Sequence, residues 1–149
     1  MLTPDFVFQI ASNLALPGWL ALAFWPHSRA TEWLTGKALL PLALSALYFA
    51  ALAVGVTAPG GAQGGFDSLA NVKLLFQNDW ALLAGWIHYL AFDLLIGDRI
   101  VGELERAGRN RWYWRVPLLF LTLMLGPVGF LVSRPVVRAT PGPMPGPVR

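Results

Sequence analysis

Residues 80–101 read WALLAGWIHYLAFDLLIGDRIV, a run with the length and hydropathy of a membrane-crossing helix. Residues 80–97 are apolar apart from His88, Tyr89 and Asp93. A hydrocarbon core about 30 Å thick needs roughly 20 helical residues to cross it, so this run is long enough to span a bilayer. Three further apolar runs occupy residues 6–25, 38–57 and 114–132. The whole chain of 149 residues is 56% apolar and 13% charged, with seven tryptophans, which is oilier than a soluble domain of this size. The predicted fold class is all-α: an integral membrane four-helix bundle forming one domain over residues 1–138.

Two segments fall outside the four runs. After the Gly-rich stretch 58–65, Phe66, Leu69, Val72 and Phe76 recur at helical spacing, too briefly to span. This predicts a short amphipathic helix, interfacial or re-entrant, between spans two and three. The tail 139–149 holds four prolines and two glycines and is expected to be disordered.

Charge sets the expected orientation. Arg29 and Lys37 lie between runs one and two, and Arg99, Arg106, Arg109, Arg111 and Arg115 cluster around the loop between runs three and four. Lys73, Arg134, Arg138 and Arg149 fall on the other side of a four-crossing chain. Seven against four places both termini outside by the positive-inside rule, in what reads as a bacterial inner membrane. No Lys or Arg precedes the first run, which favours a retained helix over a cleaved signal peptide. Trp25, Trp33, Trp112 and Trp114 mark the inner interface and Trp80 the outer one.

Several function classes drop out. With no cysteine there is no disulfide, thiolate metal site or cysteine nucleophile. The basic residues flank apolar runs and form no basic domain, so nucleic acid is not an expected partner. His27, the only other histidine, belongs to an inner loop, and no HxxxH or HExxH spacing occurs, so no metal is expected. Residues 60–65 lack the lysine of a phosphate-binding loop, which argues against nucleotide use.

An ionisable group at membrane depth costs a few kcal/mol on insertion scales and is a functional candidate for that reason. Run three carries two, His88 and Asp93. At about 1.5 Å rise per residue, His88 matches the depth of Asn13 in run one, and Asp93 that of Ser45 and Thr122. At about 100° per residue His88 and Asp93 diverge by roughly 140°, whereas Tyr89 and Trp86 share a face with Asp93. The candidate catalytic pair is His88 and Asp93, and the candidate ligand-binding residues are Asn13, Trp86, Tyr89, Tyr48 and Thr122. The structural reading of the same residues is interhelical hydrogen bonding worth about 1 kcal/mol each.

Three blocks carry a family resemblance: GFDSLANVKLLF at residues 65–76, WIHYLAFDLLIG at 86–97 and FLTLMLGPVG at 120–129. Together they resemble the abscisic-acid-deficient-four-like family over residues 6–132, Asn13 and Pro17 included. Plant members of that family are associated with neoxanthin synthesis. The resemblance implies an isomerase that opens a carotenoid 5,6-epoxide to an allene without a cofactor. Asp93 would then be the acid and His88 the base, with Asn13 and Tyr89 orienting them. Two other roles stay open: a non-catalytic module holding a carotenoid, quinone or other lipophilic isoprenoid, and a small transporter or assembly subunit that takes up a proton at Asp93. The expected partners are a lipophilic small molecule and membrane lipid, with oligomeric state left undetermined.

Overall fold

The computed structural model describes residues 3–58 and 60–138; the expected disordered tail at 139–149 lies outside them. The described residues are helical, in the order α1 (Pro4–Phe24), α2 (Arg29–Thr31), a π-helical turn (Glu32–Gly36), α3 (Leu39–Thr57), α4 (Leu69–Leu75), α5 (Asp79–Arg106), α6 (Trp112–Leu125) and α7 (Pro127–Arg138). Three stretches are long and apolar enough to cross a membrane: α1, the run Arg29–Thr57, and α5.

Helix α5 is the axis of the molecule. Asn78 caps it, its side-chain oxygen accepting from the Trp80 and Ala81 amides at 3.0 and 3.1 Å. The other two long helices close on it through small residues, which let backbones approach where no hydrophobic force separates helix from lipid. Ala11, Ala15 and Gly18 on α1 and Ala84, Ala91 and Gly97 on α5 are buried. A Cβ at Gly18 would lie 2.9 Å from both Leu40 and Leu94, so three helices meet there. At Gly97 a Cβ would strike the Trp19 ring at 2.9 Å. Leu22, Leu44, Ile87 and Leu94 fill the space between and are fully buried. Pro17 does not break α1, which continues to Phe24.

The four-helix bundle expected from the sequence is corrected at the fourth run. Gly126 adopts φ 50° and ψ −103°, a conformation open to glycine, and Pro127 follows it. The run is thereby divided into α6 and α7. Fourteen residues of α6 rise about 21 Å, too little to cross. α7 then turns back along α6. Ile100, Leu104 and Leu118 form a second core cluster with Phe130, Val136 and Val137 packed against it. Gly129 makes the hairpin possible, because a Cβ there would lie 2.4 Å from the Thr122 backbone nitrogen.

This hairpin also sets which ends of the helices lie together. Pro4 lies with Asp79 at one end of α5, whereas Arg138 lies with Arg106 at the other. The placement of both termini on one side rested on a fourth crossing, and the described chain instead ends at the Arg106 end. Among the described residues, every Lys and Arg except Lys73 falls at or toward that end. Trp25, Trp33 and Trp112 are exposed there, as an interfacial belt requires.

The expected short helix is α4, whose seven residues include none that is buried. Ser68 caps it, and the Asn71 amide donates to both Asp67 carboxylate oxygens at 2.9 and 3.0 Å. That bond holds the exposed Asp67 carboxyl below its usual range.

Candidate functional site: a half-depth groove beside helix α5

Where α6 stops, the face of α5 that it would have covered is left open. A groove of about 490 Å³ occupies that place, lined by Phe76, Leu82, Gly85, Trp86, Tyr89, Leu123 and Met124. A second groove of about 390 Å³, between α1 and the start of α5, shares Leu82 and Trp86 with it. Trp86 is therefore the wall between two apolar troughs. Its indole N–H donates to the Ser12 hydroxyl at 3.2 Å, and its ring lies against Phe8 and Tyr89 at centroid distances of 5.5 and 5.6 Å.

Tyr89 is the one polar side chain in this lining, and Asp93 lies one turn beyond it on α5. Tyr89 donates its hydroxyl proton to the Leu123 carbonyl at 2.6 Å. That carbonyl belongs to the last turn of α6, where the next turn would ordinarily satisfy it. One turn below Tyr89, Asp93 is 8% exposed, and its Oδ2 is buried without a hydrogen-bond partner. A Cβ on Gly126 would come within 3.1 Å of Asp93 Oδ1 and 3.5 Å of the Tyr89 ring. The glycine that ends α6 is thus also what leaves room for the carboxyl. A buried carboxyl with one oxygen unpaired is costly.

The candidates separate into three groups. Asp93, Tyr89 and Trp86 lie on the groove side of α5, with Thr122 fully buried just behind the floor, its hydroxyl bonded to the Leu118 carbonyl at 2.8 Å. His88 and Tyr48 come together elsewhere, with ring centroids 5.8 Å apart. His88 is exposed and stacks on Phe92 at 4.6 Å, away from Asp93. Asn13 is exposed on α1, and its neighbour Ser12 makes the contact to α5. The two residues expected to act as an acid and base pair therefore face different surroundings, as their 140° separation foreshadows.

Sequence reasoning passed over the polar groups that the Arg106 end buries. Glu103 accepts from Arg99 at 3.0 Å through one carboxylate oxygen and from Arg134 through the other. Arg115 donates to the Ala23 carbonyl at 2.9 and 3.1 Å and to Asn110 at 2.8 Å, closing the exposed end of α1. The Thr35 hydroxyl donates to Asp98 at 2.7 Å, fixing the π-helical turn to α5. The spacing of Arg99 and Glu103, four residues apart, was a legible signal. The Arg134 contact needs the hairpin and was not.

No curated protein and no solved structure matches the chain. A family model does, over residues 6–132, a span that takes in both grooves, Asp93 and the hairpin turn. The chain belongs to the ABA DEFICIENT 4-like family.

Proposed function

We propose that the half-depth groove binds a lipophilic isoprenoid from the bilayer and presents an oxygen function on its ring to Asp93, which protonates it in an isomerisation. The observation that carries this reading is the buried Asp93 carboxyl, unpaired at Oδ2, beneath an apolar groove open beside α5. For a carotenoid epoxide, the carbon–oxygen bond breaks as the oxygen gains a proton. A proton leaves the adjacent polyene carbon, and its electron pair completes the allene. Atoms and electrons balance within the substrate and two proton-carrying groups, so no cofactor enters. Tyr89 is the second such group by position, since it lines the groove and lies one turn from Asp93. His88, stacked on Phe92, is a weaker choice than its sequence position implies.

A carrier role has its own support. The Tyr89 hydroxyl proton is engaged by the Leu123 carbonyl and is not free to pass to a ligand. A module that holds a pigment without changing it needs no such transfer.

Expression in a carotenoid-producing host, with chromatography of total lipid and of pigment bound to the purified protein, tests both. The enzyme reading expects a new isomer with the wild type and a loss of roughly 10²–10⁴-fold with a folded Asp93→Asn variant. Equal product from both proteins rejects it. Unchanged pigment bound by both supports the carrier.

A further inference from the structure

The Arg106 end of α5 carries a second feature, independent of the groove. Arg106, Arg134 and Arg138 line one pocket with Glu103, and Arg99 pairs with the same carboxylate. Glu103 is occupied by Arg99 and Arg134, and Arg134 also stacks on the Phe130 ring at 4.2 Å. A pocket of about 350 Å³ lies beside them, lined by Glu103, Arg106, Arg134, Val137 and Arg138. Arg106 and Arg138 are exposed at its mouth. One carboxylate cannot balance these cations, so the pocket keeps a net positive field.

The surface next to it is apolar. On α7, Val128, Leu131 and Val132 are exposed, Leu131 at 69%. A water-soluble anion has no use for such a strip, whereas a lipid matches both parts: a phosphate for the arginines and hydrocarbon for the helix. We propose that this pocket holds the phosphate of an anionic glycerophospholipid whose acyl chains lie along the exposed apolar face of α7. The hairpin is what builds the site, since it returns Arg134 and Arg138 to the end of α5 that bears Arg99 and Arg106. Basic pockets of this kind beside membrane helices are suited to anionic head groups.

The test uses the full chain purified in neutral detergent, with native mass spectrometry of added phosphatidylglycerol and phosphatidylcholine and with glycerol phosphate as a soluble competitor. Two double variants remove equal charge: Arg106→Gln with Arg138→Gln inside the pocket, and Arg29→Gln with Lys37→Gln outside it. The expected result is preferential binding of phosphatidylglycerol, weakened roughly thirtyfold by the first pair and less than about threefold by the second. Glycerol phosphate should not compete. Equal losses from both pairs, equal binding of phosphatidylcholine, or competition by glycerol phosphate would each overturn the proposal. Should the first pair fail to fold, Arg138→Gln alone is expected to weaken binding about fivefold, and an unchanged affinity there rejects the site.

Discussion

Asp93 and Glu103 are two buried carboxyls ten residues apart on one helix, and the fold treats them in opposite ways. Glu103 is gripped through both oxygens by arginines from α5 and α7, whereas Asp93 keeps an oxygen with no donor. About 15 Å of helix separates them. Over that distance the neighbour of α5 changes from a packed helical hairpin to an open groove. Along one helix, then, the cost of burying a carboxyl is matched by protein contacts at Glu103 and left unmatched at one oxygen of Asp93.

Removing a counter-charge is the harshest trial of this contrast. Arg134→Met should destabilise the protein by about 3 kcal/mol, because Glu103 is then left buried with one of its two partners gone. Combining it with Glu103→Leu should restore most of the loss, as an apolar pair replaces a buried ionic one. Asp93→Asn should leave stability within about 0.5 kcal/mol, there being no charge pair to break. Thermal unfolding of the three variants in one detergent reads all of these; a larger loss for Asp93→Asn than for Arg134→Met would make Asp93 the structural carboxyl.

A milder perturbation acts on the turn that creates the contrast. Gly129→Ala forces a Cβ into the Thr122 backbone and should cost about 2 kcal/mol while prising α7 off α6. Protease or hydrogen-exchange mapping should show the change in the hairpin and spare α1 and α3. Protection lost evenly across the chain would mean that the hairpin is not a separate unit.

The smallest effect is expected at His88. As an exposed ring stacked on Phe92, its replacement by Ala should change turnover or pigment binding by no more than about threefold. A loss as deep as that of Asp93→Asn would return His88 to the acid and base pair, and would require α5 to present two faces to one ligand.

Much of the scaffold was legible because membrane spans announce themselves by length and hydropathy. Runs one to three became α1, α3 and α5, and the spacing of Phe66, Leu69, Val72 and Phe76 announced α4. Run four failed for a specific reason: its apolar content promised a crossing, and at Gly126-Pro127 the chain reverses instead. From that single turn follow the return of Arg134 to Glu103 and the shift of Arg138 to the Arg106 end. Asp93 and Tyr89 were legible as a shared helical face. The groove above them was not, because a groove is made by what is missing beside α5, and a hydropathy pattern records only what is present. Ser12 was passed over for Asn13 because depth alone, without the rotation of α1, cannot separate adjacent residues.

The early end of α6 also makes the two leaflets unequal for this protein. In the half of the membrane nearer Arg106, α6 and α7 pack beside α5. In the half nearer Asp79, hydrocarbon must stand in for the missing stretch of helix or leave the trough empty. A change of lipid order in that leaflet therefore bears on the molecule from one side, at Phe76, Trp86 and Met124.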